Sequence, residues 1–388
     1  MKRAIVGVVV VLWGLTGTVA WGGEGEGWLK DVKISGFADF YYEYNFNRPP
    51  NVDRVRNRGR RKPEFIDPVG VENVLRNFDF KHSEIAFSLA EIVIEKPATS
   101  IGFRLDLNVG RTTDWVHNLE PGGRDWRFIQ QAFLTIPVKS KFGDKIDVGK
   151  FVTHHGAEVI ESKDNYNYTR GLLFAWAIPY YHAGVRYWRY ANQEQTNFLC
   201  LHLYNGWNTV VDNNGSKSFG FMYGFKPSEK TTVVKNITLG KEPVALGRNL
   251  RATLSGNRFL SDTLITYAAN DKTTYVLNID YGRQSNTRST LGASHATWYG
   301  VAGYLRRVLD DKRAWVVRLE WFRDKDGFST GVAQTLREVT LTYEIKQNKN
   351  LLWRIEARYD RSSNPVFLNR GTTKKSQTTL AIGTVATF

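Results

Sequence analysis

The sequence predicts an all-β chain, a transmembrane antiparallel β-barrel of about sixteen strands with short turns at one rim and long loops at the other. Three observations carry this expectation. Apolar residues recur with a period of two almost everywhere after Lys30. The links between strand-like segments alternate between short and long. Aromatic residues make up 13% of the 388 residues, yet mean hydropathy is only −0.38, which excludes a bundle of membrane-spanning helices.

The first twenty residues stand apart from the fold. Lys2 and Arg3 precede an apolar run from Ala4 to Leu15, and Thr18-Val19-Ala20 ends in small residues, the pattern of a removed secretory signal. Twelve apolar residues are too few to cross a bilayer as a helix. Residues 1–20 are therefore expected to be a signal peptide and residues 21–388 a single barrel domain. Losing Lys2 and Arg3 lowers the net charge from +15 to +13. The longest later apolar run, Gly171 to Tyr181, is eleven residues long and contains Pro179. The lone cysteine, Cys200, excludes an intrachain disulfide framework.

Sixteen strand-like segments follow in order, near 30–46, 76–96, 98–112, 127–138, 144–153, 180–192, 197–207, 216–227, 230–241, 257–268, 273–283, 295–308, 313–323, 335–346, 350–361 and 376–388. In the first, Ile34, Ala38, Phe40, Tyr42, Tyr44 and Phe46 share one face, and Lys33, Ser35, Asp39, Tyr41, Glu43 and Asn45 the other. In the fifteenth, Leu351, Trp353, Ile355, Ala357 and Tyr359 oppose Leu352, Arg354, Glu356, Arg358 and Asp360. A barrel in lipid needs one apolar and one wet face. A soluble sandwich would not combine such long aromatic faces with charges of both signs.

Short links fall near Pro97 and at 139–143, 193–196, 228–229, 269–272, 309–312 and 347–349. Long ones fall at 47–75, 113–126, 154–179, 208–215, 242–256, 284–294, 324–334 and 362–375. The short side is expected to be periplasmic and the long side extracellular. Fourteen or eighteen strands also fit, because parity is ambiguous at 230–268 and a bulge is expected near Glu91. Tyr41, Tyr42, Trp126, Tyr187, Trp188, Trp207, Trp298, Trp315, Trp321 and Tyr359 suit interfacial girdles. Sixteen strands leave a lumen that barrel side chains alone do not fill. Inward glycines such as Gly102, Gly110 and Gly149 favour an open lumen, whereas bulky lumen residues would favour a non-conducting barrel. The chain ends in Phe388 on an amphipathic strand, an ending that resembles the assembly signal of bacterial outer-membrane barrels.

Several stretches resemble the OmpL-like β-barrel porin family of Gram-negative outer membranes. They are Ser35-Gly36-Phe37-Ala38-Asp39-Phe40-Tyr41-Tyr42, Asn45-Phe46-Asn47-Arg48-Pro49, Gly149-Lys150-Phe151, His155-Gly156-Ala157-Glu158 and Asn165-Tyr166-Asn167-Tyr168-Thr169-Arg170. Glu161-Ser162, His182-Ala183-Gly184-Val185-Arg186, and Asn205-Gly206-Trp207-Asn208 with Asp212-Asn213-Asn214 and Lys217-Ser218 complete the set, which covers roughly residues 34–225. The resemblance implies a pore for small hydrophilic solutes and names no substrate.

The loop 154–179 is the candidate constriction. Glu158, Glu161, Asp164 and Arg170 lie on it, and inward Arg104, Arg186, Arg318, Arg354 and Arg358 can face it from the wall. Opposed acids and bases across a gap would set a transverse field that filters ions. The competing reading is a surface lid whose carboxylates pair with barrel arginines. In the first long loop Arg48, Arg54, Arg56, Arg58, Arg60, Arg61 and Lys62 face only Asp53, a local charge of +6. That loop suits anion steering, contact with lipopolysaccharide phosphates, or a solvated charge run without a partner. Export and the absence of interleaved aromatics disfavour nucleic acid. No His-Glu-x-x-His, Gly-x-Ser-x-Gly or P-loop pattern occurs, so the expectation is a channel rather than an enzyme, needing no cofactor. The expected partners are outer-membrane lipid and lipopolysaccharide, small solutes with a lean toward anions, the barrel assembly machinery, and two further copies in a homotrimer. The alternative from another class is a non-conducting adhesin or structural barrel acting through its long loops.

Overall fold

Residue exposure along the strands runs opposite to that of a water-soluble sheet. In the strand Leu351–Ser362, Ile355, Ala357 and Tyr359 are exposed while Arg354, Glu356, Arg358 and Asp360 are buried. In the last strand, Ser376–Thr387, Leu380 and Ile382 are exposed while Gln377, Thr379 and Ala381 are buried. Apolar side chains outside and charges inside are stable only when the outer solvent is hydrocarbon and the interior is polar.

The computed structural model describes residues 31–50, 72–118, 120, 126–244, 255–287 and 291–388. The expected signal peptide and the basic residues Arg54, Arg56, Arg58, Arg60, Arg61 and Lys62 lie outside the described residues. The strands are β1 (Lys33–Asn45), β2 (Ile85–Lys96), β3 (Gly102–Val109), β4 (Ile129–Pro137), β5 (Lys145–Val152), β6 (Tyr181–Tyr190), β7 (Phe198–Tyr204), β8 (Ser218–Ser228) and β9 (Thr231–Pro243). They continue as β10 (Ser255–Asn270), β11 (Thr273–Ser285), β12 (His295–Asp310), β13 (Arg313–Asp324), β14 (Gln334–Asn348) and β15 (Leu351–Ser362). A small hairpin, β16 (Phe367–Asn369) with β17 (Thr372–Lys374), precedes β18 (Ser376–Thr387).

Strands β1 to β15 and β18 pair with their neighbours, all antiparallel, and β18 returns to β1. The result is a closed sixteen-stranded barrel, with no free edge in the lipid zone. At the closing seam the Phe388 amide donates to Gly36 O at 3.0 Å, and the Gly36 amide donates to Phe388 O at 3.2 Å.

Several expectations need correction. The second segment begins as a strand only at Ile85, because residues 72–81 turn into the barrel mouth. The bulge lies at Ser88–Leu89, where two successive residues are buried and the pairing with β1 shifts. Tyr41 and Trp298 are only 2% exposed and face the lumen rather than lipid. Trp188 joins them inside, donating from its indole to Asp147 at 3.0 Å. Gly149 has φ +141, and a Cβ there would lie 2.2 Å from Ala132 O. Close approach to β4, not an open lumen, requires that glycine.

Candidate functional site

The segment between β5 and β6 leaves the wall at Thr153 and enters the lumen. At Gly156 the backbone takes φ +88, and a Cβ would meet Ile178 Cδ1 at 2.5 Å. The turn therefore needs glycine. The Asn165 side chain closes the loop tip on itself: it accepts from the Val159 amide at 2.9 Å and donates to Val159 O at 2.8 Å. A single 3-10 turn, Ser162–Asp164, follows the tip's start, and a five-residue helix, α2 (Leu172–Trp176), completes the crossing. The earlier helix α1 (Arg111–Val116) belongs to the loop after β3.

Leaving β5, the loop first meets one side of the barrel. His155 Nε2 hydrogen-bonds the Thr238 hydroxyl on β9 at 2.8 Å, and the Gly156 amide donates to Asp262 on β10 at 3.1 Å. It then crosses to β13, β14, β15 and β1. The Tyr168 amide donates to Glu356 at 2.9 Å, Asn167 Nδ2 donates to the Thr342 hydroxyl at 2.7 Å, and the Ser162 hydroxyl donates to Asp39. These partners lie on many strands, so the loop is a strap across the lumen and not a surface lid.

Buried arginines anchor it. Arg318, with no exposed surface, donates to Glu158 at 2.7 Å and to Thr169 O at 2.6 Å, and is held from behind by Glu338 at 3.1 Å. Arg354 donates to Ser162 O at 2.6 Å and Asn165 O at 2.5 Å while pairing with Glu344 at 3.0 Å. Arg358 donates to Arg170 O at 2.7 Å and pairs with Asp360 at 2.9 Å. The first amides of α2 have no intrahelical acceptor, and carboxylates supply one. Leu172 and Leu173 donate to Glu320 at 2.5 and 3.2 Å, and Gly171 donates to Glu158 at 2.6 Å. Leu172, Leu173 and Phe174 pack with Ile160, Ile178, Trp298, Phe322 and Leu336, so the strap carries an apolar core into the lumen.

The nine residues expected at a constriction separate into groups. Glu158, Arg318, Arg354 and Arg358 meet at the contact between strap and wall, where Arg170 offers only its carbonyl, to Arg358. Glu158 and Arg318 touch instead of facing one another across a gap. Arg170 is internal to the strap, donating to Tyr168 O at 2.8 Å and lying 4.6 Å over the Phe78 ring. Glu161 is buried; desolvation, with Asp106 and Asp164 nearby, holds its carboxyl above the usual range. Asp164 pairs with Lys163 at 2.5 Å on a half-exposed edge. Arg104 and Arg186 are held by strand carboxylates, Asp106 at 2.9 Å and Asp147 at 2.8 Å, and neither pairs with a strap carboxylate.

Three features had no clear signal in the sequence. Residues 72–81 form a second inward segment, in which fully buried Arg76 pairs with Asp360 at 2.8 Å and with Asp79. Four histidines from strap and wall assemble: His154 stacks on His202 with centroids 4.1 Å apart, lies 4.2 Å from His155 and 5.8 Å from His182. Burial holds the imidazoles of His154 and His155 well below their ordinary range, and the neighbouring His182 and His202 push both further down. Among the described residues, no group of three or more His, Cys, Asp or Glu is placed to hold a metal ion. The third feature is an aromatic cavity of about 260 Å³ on the extracellular face of the strap. A polar cavity of about 190 Å³, lined by Glu158, Asp164, Asn165 and Tyr304, lies on the other face.

The described wall is richer in buried acids than bases. Fourteen strand carboxylates are buried: Asp39, Glu43, Glu91, Asp106, Asp147, Glu242, Asp262, Asp280, Glu320, Asp324, Glu338, Glu344, Glu356 and Asp360. Six strand cations match them: Lys96, Lys150, Arg258, Arg318, Arg354 and Arg358.

Comparison with known proteins places these features in context. The family model described as putative beta-barrel porin-2, OmpL-like, matches residues 31–388. Solved structures share the barrel at low identity. OmpT of Vibrio cholerae, expressed in the outer membrane, is 13% identical with a TM-score of 0.57, the match covering 92% of this chain and 97% of that one. An anion-selective porin from Comamonas acidovorans is 9% identical with a TM-score of 0.57, covering 92% and 99%. The outer membrane channel DcaP of Acinetobacter baumannii is 12% identical with a TM-score of 0.53, covering 92% and 97%. No curated protein sequence matches the chain.

Proposed function

The chain belongs to the OmpL-like putative beta-barrel porin-2 family, and from that premise we propose that it conducts small hydrophilic solutes passively through its lumen. It is an outer-membrane β-barrel of the porin type. The observation that carries the conduction reading is the strap across a sixteen-stranded lumen, with a cavity on each of its faces. A solute passing from one cavity to the other moves beside the strap, whose position is set by Glu158, Arg318, Arg354 and Arg358. The function needs no cofactor and no chemical step, and the reading is of a channel rather than an enzyme.

Selectivity is the finer question. The basic loop residues Arg54 to Lys62 support a lean toward anions by steering them to the mouth, and they equally suit lipopolysaccharide phosphates. The acid-rich wall supports a lean toward cations. The wall is closer to the permeating ion, but thirteen net positive charges on the mature chain act at longer range. Reversal potential in a salt gradient separates the two: an anion-selective sign supports the loop, a cation-selective sign the wall.

A second reading, a non-conducting barrel acting through its long loops, is favoured by one observation. Trp298, Phe322, Leu336 and the strap's apolar face fill part of the lumen with bulky side chains. Single-channel recording on correctly folded barrels tests both readings. Discrete conductance steps support the porin; folded, inserted barrels that remain silent support the second reading. A homotrimer, and insertion by the barrel assembly machinery, accompany the porin reading as proposals.

A further inference from the structure

The cavity on the extracellular face of the strap has a lining unlike the rest of the lumen. Trp115, Tyr180, Trp207, Trp298 and Phe328 contribute aromatic surface to it. Trp298 stacks on Phe328 at 5.3 Å between centroids and meets Trp207 edge-on at 6.4 Å. Amide side chains of Asn77, Asn118, Asn208 and Asn213 break up the apolar surface. An aromatic lining with a few placed polar groups is the general form of a small-molecule site.

The two charges in the lining are already engaged. Arg258 lies 4.9 Å over the Trp207 ring and 5.3 Å over Phe328, and donates to Gln284 at 2.7 Å and Pro243 O at 3.2 Å. Glu242 accepts from the Trp207 amide at 3.1 Å and the Ser218 hydroxyl at 2.6 Å. Neither charge is left over for an ionic solute. One polar atom is left over. Asn77 is 3% exposed, and its Nδ2 is committed to Ala175 O at 2.7 Å and Tyr180 Oη at 2.6 Å. Ala175 O can only accept, which fixes the amide's orientation and leaves Asn77 Oδ1 buried without a partner. That oxygen is closed off from the cavity, so it takes no part in the lining.

From these observations we infer that the cavity is a binding site for a neutral, ring-shaped polyhydroxylated solute of the sugar class. One face of such a ring presents C–H groups, which pack on the electron-rich faces of indole and phenol rings. Its equatorial hydroxyls reach the amides of Asn118, Asn208 and Asn213 in the lining. A volume of about 260 Å³ suits a single ring better than a longer chain. Anions would need an unscreened cation, and apolar solutes would leave the amides of Asn118, Asn208 and Asn213 unmatched. The inference deepens the channel reading by naming a solute class.

The test is titration calorimetry on the folded full-length barrel in detergent, with glucose and maltose as neutral probes and phosphate and succinate as anions. The expected result is saturable binding of a sugar with a dissociation constant on the order of millimolar, and none of the anions. Asn118→Ala should weaken it roughly five-fold, as expected for one lost hydrogen bond. Trp115→Ala should weaken it roughly ten-fold or more through loss of a stacking face, and Trp315→Phe, on the lipid face, should leave it unchanged. If Asn118→Ala does not fold, Trp115→Ala alone decides. Folded wild-type barrel that binds neither sugar, or binds an anion in preference, overturns the inference. Binding in detergent does not depend on conduction. A conducting barrel without sugar binding refutes only this site, and a sugar-binding barrel that never conducts refutes only the channel.

Discussion

At Arg318 a guanidinium with no exposed surface meets Glu158 at 2.7 Å, Glu338 at 3.1 Å and the carbonyl of Thr169 at 2.6 Å. Removing such a cation strands two buried carboxylates, a change that costs about 3–5 kcal/mol when one partner of a buried pair is lost. Arg318→Met should therefore release the strap and raise single-channel conductance by roughly two-fold or more, while lowering the midpoint of thermal unfolding. Glu158→Gln keeps the shape and loses the charge, so the same shift should be smaller. Asp164→Asn should leave the unfolding midpoint unchanged, because the ion pair of Asp164 is with its partly exposed neighbour Lys163. At the root of the strap, His154 and His155 are neutral and face His182, His202, Arg186 and Lys235. Their folded-state affinity for protons is depressed, so the released strap takes up protons first as pH falls below the ordinary imidazole value of about 6.5. Seating is insensitive to pH above that value and weakens progressively below it. Conductance recorded from pH 8 down to about pH 4 should rise with acid, and His154→Gln with His155→Gln should flatten the profile.

Among the elements, the closing seam between β1 and β18 depends on one small residue. A Cβ on Gly36 would lie 2.3 Å from Phe388 Cζ and 2.6 Å from the carbonyl of Glu91. The aromatic ring can swing aside, but the β2 backbone cannot. Gly36→Val should reduce the yield of closed barrel, measured as loss of the heat-modifiable band on electrophoresis, whereas shortening Phe388 to Leu should be milder. Strand edges were legible because lipid on one side and polar lumen on the other force strict alternation: the predicted segment 350–361 is observed as Leu351–Ser362, and 313–323 as Arg313–Asp324. The segment predicted at 76–96 was not, because the start of that stretch obeys a different constraint. Arg76 is buried against Asp360 on β15, Asn77 against Ala175 on the strap, and Asp79 against Arg76, not by a sheet face. The helices α1 and α2 and the hairpin β16–β17 lie within long loops, where a five-residue amphipathic turn leaves too few residues for its period to register.

For the whole molecule, charge is distributed so that neither the total nor a single region decides selectivity. The chain is basic overall, yet the charged side chains among the buried strand positions are mostly acidic. A cation-selective reversal potential would assign control to the wall; replacing Arg54, Arg56, Arg58, Arg60, Arg61 and Lys62 with Gln should then leave its sign unchanged and shift only low-salt conductance. Sixteen strands, their pairing order and the lipid-facing surface are local properties of the chain: each strand needs only its own alternation and a short turn to find its neighbour, so they can be read from residues such as Ile355, Ala357 and Tyr359 against Arg354, Glu356 and Arg358. The contents of the lumen are not local. Whether Glu158 faces Arg318 across water or touches it depends on bringing together residues 160 positions apart, and the histidine cluster and the aromatic cavity likewise draw on several strands at once. Such contacts leave no periodic trace in a single stretch of sequence, because what selects them is the shape of the closed barrel.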